Sequence, residues 1–338
     1  GAVNFEMALY QGAVYAGIRG AKIFAEISTE NVVAVKAQTI TDVKKAYYNI
    51  LIVKEQNNLV AQSIKRGLQA LKDVRLLYNQ GLASDLDTLR AFVAVENIKP
   101  MLIKTENGIS NSIAYLTTLL GLSSNESIEL SDSLAYNKLG INIDFAAAQE
   151  EALAKRPELN LLDLQIRANN EMINYEFAAH LPSLAAFGQY KVELQSDDFK
   201  VSRYNWPASS YVGLNLSIPI FSGFRTQSRV EQAEIEKKKL ITQLDNLKQY
   251  IATEVRVSYS NVDEARRRIE AQSQTVKAAE RSYELTHSRW IKGVSRQNEL
   301  FDAELALTQA KTNYLQSVYD FLVAGTELEK ALGRAGRL

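Results

Sequence analysis

Hydrophobic and polar positions along this chain follow two periods, and the chain divides where one gives way to the other. At 4–11, Phe5, Met7 and Leu9 alternate with Glu6, Ala8 and Tyr10, which predicts a short strand with one apolar and one mixed face. After Gly12 and Gly17 the spacing becomes helical and holds through Val43, Tyr47, Ile50, Val60, Ile64, Leu71, Val74 and Tyr78 to Gln80. Gly81 breaks it, and Gly17 is read as the strand-to-helix corner. Ser84 or Asp85 can cap the next helix, which runs to Leu120 and is expected to kink at Pro100. Residues 121–144 are polar and irregular. A short helix is predicted at 145–155, and another from Arg156-Pro-Glu-Leu159 to about Ala179, with Pro157 in its first turn.

A second strand-rich section begins at Pro182. Leu184, Ala186, Tyr190, Val192 and Leu194 alternate with Gln189, Lys191 and Glu193. Residues 195–207 read as a polar loop. The following strand sets Val212, Leu214, Leu216 and Ile218 on one face and Tyr211, Gly213, Asn215 and Ser217 on the other. Strands of about ten residues, apolar on one face and polar on the other, match a barrel strand crossing a bilayer. The pattern alone favours a soluble hairpin with one face on a core, but the neighbouring helices are so long that no compact core is left for it to cover. After Gly223 comes a long helical pattern, with small or apolar residues at 233, 240, 244, 247, 251, 255, 262, 265, 269, 272, 276, 279 and 283. Threes and fours sustained over so many turns are a coiled-coil signature. Some seventy residues at 1.5 Å each would reach about 100 Å.

The long helical hairpin occurs twice. A shift of 212, the distance from Gly81 to Gly293 and from Gly121 to Gly333, superimposes Tyr47 on Tyr259, Asn49 on Asn261 and Tyr78 on Trp290. It also superimposes Val95, Ile98, Leu102, Ile109, Leu116 and Leu120 on Leu307, Ala310, Tyr314, Phe321, Leu328 and Leu332. No gap is needed over roughly eighty positions, so two equivalent blocks build one wall or bundle. The expected organisation is a first repeat at 1–121 with one strand and a hairpin, a linker with a short helix at 122–155, and a second repeat at 156–338.

Composition narrows the chemistry. Among 338 residues, Lys+Arg and Asp+Glu balance at 39 each, so no net field gathers nucleic acid or a charged lipid surface. There is no Cys and there are only two His, which leaves neither thiolate nor His-rich metal chemistry. Five prolines suit long helices. No run of eighteen apolar residues is present, which argues against a membrane-spanning helix but not against a β-barrel. His180 and His287 stand without a nucleophile or metal motif, and the Lys237–Lys239 and Arg266–Arg268 clusters read as solvated helix faces. No enzyme and no cofactor are expected. No signal peptide is visible at the start.

Arg156-Pro-Glu-Leu159, Leu181-Pro182, Ile218-Pro-Ile-Phe-Ser-Gly223, the Gly81 and Gly293 tips and Ala331-Leu-Gly333 occur in an order that resembles the TolC-like outer-membrane efflux proteins. The resemblance spans essentially the whole chain. It implies a mainly α fold with short transmembrane β-strands, in which two long helical hairpins build an α-barrel and the strands join a β-barrel. It implies a homotrimer held in outer-membrane lipid and reaching into the periplasm. The trimer would serve as the passive outer conduit of a tripartite export system, with a periplasmic adaptor and an inner-membrane pump as partners. By that layout, a signal peptide, a helix and one strand would precede Gly1.

The same resemblance assigns sites. Gly81-Leu82 and Gly293-Val294 fall on the tips that dock the adaptor. Glu299 and Asp302, one turn apart, fall where carboxylates ring the narrow entrance, and Asp87 and Trp290 fall where links between hairpins close it. Read from the residues alone, Glu299 and Asp302 are equally acids favourable to a helix N-terminus, and the glycines are turn residues. A second reading of the whole chain is a soluble periplasmic coiled-coil scaffold or adaptor without a pore, which would stay in the aqueous phase without detergent.

Overall fold

The computed structural model describes residues 1–123, 126, 128, 130–136, 145–194 and 205–335. Residues 195–204 of the loop expected at 195–207 lie outside the described residues, as does part of the segment expected at 121–144. The elements in order are β1 (Ala2–Tyr10), α1 (Gly12–Asn79), α2 (Asp85–Leu119), α3 (Phe145–Lys155), α4 (Pro157–Phe177) with a 3-10 turn (Ala178–His180), β2 (Ser183–Val192), β3 (Ala208–Ser217), α5 (Arg225–Ile291) and α6 (Gln297–Ala331). The long helices match across the repeat. α2 and α6 start and stop at positions 212 apart, and so do the ends of α1 and α5. α2 continues past Pro100 without a break.

The chain forms two compact units, and each draws on both halves of the sequence. The first holds Gly1–Val32 and Pro157–Gln249. Its sheet has the order β1-β2-β3, antiparallel throughout. The register places Val3, Phe5 and Met7 level with Tyr190, Gly188 and Ala186, and these with Ser210, Val212 and Leu214. One face is therefore almost wholly apolar. The expected alternation in β1 fails at one point. A bulge between Ala8 and Tyr10 pairs Tyr10 with Leu184, so Tyr10 joins the apolar face and not the mixed one. An extra residue in a strand reverses the facing of everything beyond it. Helix α1 also begins at Gly12, so the corner is there and not at Gly17. A side-chain carbon at position 12 would stand 3.0 Å from the Ala178 Cβ and 3.2 Å from Leu181, so glycine there lets the two segments approach without crowding. Beside the sheet, α1 and α4 are joined by Arg19–Glu171 at 2.9 Å and Arg167–Glu26 at 3.3 Å.

The second unit holds Val33–Arg156 and Tyr250–Leu338. Here the seam residues predicted on α5 at 251, 255, 262, 265 and 269 are buried, and those at 272, 276, 279 and 283 are half-buried. Ala46, Ile50 and Leu116 join α1 to α2, and Ile128 and Leu130 of the following segment pack onto them. Tyr47 donates to Asp132 at 2.5 Å, and that bond to a carboxylate pushes the phenol pKa up to about 12. Tyr136 meets Phe321 edge-on at 5.3 Å. Arg156, the first residue of the Arg-Pro-Glu-Leu motif, is buried and reaches Glu254 at 2.8 Å. The arginine of the motif thus anchors the end of α3 against α5. At the far end of α6, Arg334 and Lys155 both bond Glu151.

Candidate functional site

The two tips are built alike. In the first, Gly81 N–H donates to Tyr78 O and Leu82 N–H to Leu77 O, both at 2.9 Å. In the second, Gly293 donates to Trp290 O and Val294 to Arg289 O, again at 2.9 Å. This paired closure satisfies the last carbonyls of a helix and requires the left-handed backbone of Gly81 (φ 73°) and Gly293 (φ 72°). Leu82 and Val294 follow and stand exposed at the two turns. The helices that leave the tips start differently. Ser84 caps α2, accepting from Asp87 N–H at 3.2 Å, and Asp87 returns the favour by accepting from Ser84 N–H at 3.1 Å. The Ser84 hydroxyl also donates to the Asp87 carboxylate at 2.7 Å, and that bond first, with the one from Ser84 N–H second, holds the Asp87 carboxyl below its usual range. α6 has no such side-chain cap at Arg296. Its first-turn acid, Glu299, instead accepts from the Ser295 hydroxyl.

Glu299 and Asp302 are both exposed, one turn apart on α6. Asp87 is half-buried and occupied with its cap, and its backbone carbonyl accepts from Gln297 Nε2 at 3.0 Å, a direct link from the first hairpin to the second. Trp290 is in a different setting from its repeat partner. It is 7% exposed, whereas Tyr78 is 46% exposed. The indole packs in a cluster with Leu71 and Val74 of α1, Ala91 of α2 and Leu300 of α6. Trp290 therefore ties the hairpins together by apolar packing, from inside the bundle.

A second link was not foreseen from the sequence. Arg66 of α1 donates from Nε and a terminal nitrogen to both oxygens of Glu304 on α6, at 2.8–2.9 Å, and Ser63 adds a bond to Glu304 at 2.9 Å. The guanidinium lies 5.9 Å from the Tyr283 ring centre, and His287 stacks on Tyr283 at 5.8 Å. Burial among these groups pushes the Tyr283 phenol up. The duplication gave no signal for this pair, because the matching positions hold Ala278 and Phe92.

In the other unit the sheet has faces of opposite character. Val212 is 89% exposed and Leu214 67%, and Val3, Phe5 and Leu216 are exposed with them. Among the described residues nothing covers this apolar area. The opposite face carries Asn4, Glu6, Gln189, Lys191, Asn215 and Ser217, with Gln189 donating to Asn4 at 2.6 Å. Phe187 lies among them, its ring over Gly213, where a Cβ would fall 2.7 Å from the ring tip. Among the described residues no helix is long and apolar enough to cross a membrane, and no acid–histidine group could hold a metal ion.

An apolar band on short antiparallel strands, with long paired helices closed by matched glycine tips, defines the class: a subunit of a membrane conduit anchored by β-strands. The comparisons give the family. The model of the outer membrane efflux protein family matches residues 1–122 and 148–334, and the chain belongs to that family. It is similar to the outer membrane protein TolC of Vibrio cholerae, 25% identical over 98% of this chain and 76% of that protein. It is also similar to the pyoverdine export outer membrane protein OpmQ of Pseudomonas aeruginosa, 22% identical over 96% and 67%. The open-state MtrE outer membrane channel of Neisseria gonorrhoeae shares the fold, with a TM-score of 0.81, 19% identity, and coverage of 98% of this chain and 79% of that one. The chain is an outer-membrane channel subunit of a tripartite efflux or export system, located in the outer membrane and extending into the periplasm. The family is one of efflux channels and not a known class of enzyme. The comparisons give the soluble scaffold reading no support.

Proposed function

We propose that the chain works as a homotrimer, a passive conduit that performs no catalysis. The apolar sheet face meets outer-membrane lipid, and the opposite, polar face lines the water path. The exposed turns at Gly81-Leu82 and Gly293-Val294 dock a periplasmic adaptor, which connects to an inner-membrane pump. Glu299 and Asp302 of each copy ring the tip entrance, drawing cations and repelling anions. Asp87 and Trp290 act at the gate indirectly, through the Gln297 link and the apolar cluster that keep the two hairpins together.

The observation that carries this reading is the uncovered apolar face of β1-β2-β3 backed by a polar one, the two-sided character of a bilayer-spanning barrel strand. Conductance of the detergent-extracted protein in planar bilayers tests it. Discrete channels that favour K⁺ over Cl⁻, with that preference lost in a Glu299→Gln/Asp302→Asn variant, are expected. Protein that never enters the bilayer, or a cation preference untouched by the double variant, would refute the conduit or the acidic rings respectively.

A further inference from the structure

The polar face of the β1-β2-β3 sheet is not polar throughout. One row across it reads Glu6, Phe187 and Gly213, and the next reads Asn4, Gln189 and Tyr211. The Phe187 and Tyr211 rings meet edge-on, with centres 6.0 Å apart. Phe187 is 36% exposed and Tyr211 52%, so both rings stay open on the face opposite the apolar band. Glu6 is exposed beside them and, among the described residues, has no hydrogen-bond or ion-pair partner. The three strands carry one other charge, Lys191, and it is paired with Glu193 at the strand end. Asn4 and Gln189 are bonded to each other.

Shielding the bare backbone of Gly213 accounts for where the tip of the Phe187 ring rests. It does not account for the second ring against the first, nor for an unpaired carboxylate in the same row. Charge complementarity accounts for both. An aromatic ring presents a negative face, so two open rings and a carboxylate together favour a cation. Side chains directly opposite on antiparallel strands stand about 4.5–5.5 Å apart at Cβ. A cation held on a ring lies within about 6 Å of its centre, so one seated on Phe187 is in reach of Glu6. A bare metal ion would need several more oxygens than one carboxylate supplies. An ammonium clad in carbon gains from the rings directly.

We infer that Glu6, Phe187 and Tyr211 form a subsite for organic cations, quaternary ammonium ions or protonated amines on an apolar body. The inference rests on the conduit proposed above, in which this face lines the water path, and it names a class of solute that the path favours. The ammonium sits on the Phe187 ring and pairs with Glu6, and Tyr211 borders the apolar body. Open to water on one side, the site holds its solute weakly. Conduction needs that, because a solute must leave a site as readily as it enters.

The test records K⁺ current through the detergent-extracted chain in planar bilayers, in about 0.1 M KCl, where charges within about 10 Å still act on one another. Tetraethylammonium is the probe. The background is Glu299→Gln/Asp302→Asn, so that the tip acids cannot supply the effect. Saturable block of the current is expected. Phe187→Leu keeps every charge and should raise the half-blocking concentration about two- to fivefold, the worth of one exposed cation–ring contact. Phe187→Tyr should preserve the block. Glu6→Gln should weaken it without disturbing a packed ring, and this variant decides alone if Phe187→Leu does not enter the bilayer. Conducting channels that tetraethylammonium does not block, or whose block is the same in both variants, overturn the subsite and leave the conduit standing. Block weakened by Glu6→Gln but untouched by Phe187→Leu also overturns it, since a bare surface charge would then suffice. Protein that forms no channel overturns the conduit and the subsite together.

Discussion

The Arg66 guanidinium is bonded to both carboxylate oxygens of Glu304 and joins two halves of the chain 238 residues apart. Both side chains are mostly buried, at 23% and 14% exposed. Removing Glu304 as Glu304→Ala strands the arginine, so a loss of about 2–3 kcal/mol is expected, below the figure for a fully buried pair. A double-mutant cycle with Arg66→Ala, read by thermal unfolding, should give a coupling well above the ~0.5 kcal/mol of an exposed pair. Single-channel recordings of either variant should show longer open dwell times, because a hairpin link near the tip is gone.

Trp290 and Tyr78 hold matched places in the repeat but should respond oppositely to truncation. Trp290→Ala opens a cavity among Leu71, Val74, Ala91 and Leu300 and should cost about 3–5 kcal/mol. Tyr78→Ala removes an exposed ring and should change stability by less than about 0.5 kcal/mol. Denaturant midpoints of the two variants decide this, and equal losses would contradict the burial difference.

The tip turns set a backbone requirement. Gly293→Ala places a side chain at φ 72° and should cost about 1–2 kcal/mol. Amide exchange should quicken at Gly293 and Val294, whose N–H groups close the turn.

Glu151 couples stability to pH. Hydrogen bonds from Arg334 and then Lys155 lower its pKa to about 2. A depressed carboxylate contributes stability that is present above its ordinary value, about 4.5, and is lost as pH falls through that value toward about 2. The difference in unfolding temperature between the native chain and Glu151→Gln should therefore be constant from neutral pH to about pH 5 and shrink below it. A difference that grows on acidification would contradict the pairing with Arg334.

The sheet faces should be unequal toward charge. Leu214→Arg places a cation on the apolar face and should cost about 2–4 kcal/mol of barrel stability if the site lies near the bilayer centre. Asn215→Arg, on the opposite face, should be tolerated. The fraction of protein recovered in outer-membrane extracts is the readout.

Much of the fold was legible because long helices and duplicated turns leave local marks. The glycine tips, the Ser84 cap and the α5 seam depend on residues near one another in sequence, and each stood where its spacing put it. Three features were not legible. The bulge that turns Tyr10 onto the apolar face depends on how β1 pairs with β2, a partner some 180 residues away. The corner at Gly12 lies against Ala178, a neighbour 166 positions away that the glycine spacing does not announce. The Arg66–Glu304 pair breaks the repeat, so a reading that leaned on the repeat passed over it.

The sequence by itself determined the elements, the two hairpins and the family, because periodicity, turn chemistry and duplication are written in neighbouring residues and in one constant shift. The tertiary structure alone decided which matched residues do different work. Trp290 is inside and Tyr78 outside, and Val318 and Thr326 of α6 are buried where their counterparts on α2, Glu106 and Ala114, are exposed. Equivalent residues acquire different surroundings because the two hairpins of one chain have different neighbours, and a side chain's burial depends on what packs against it from afar.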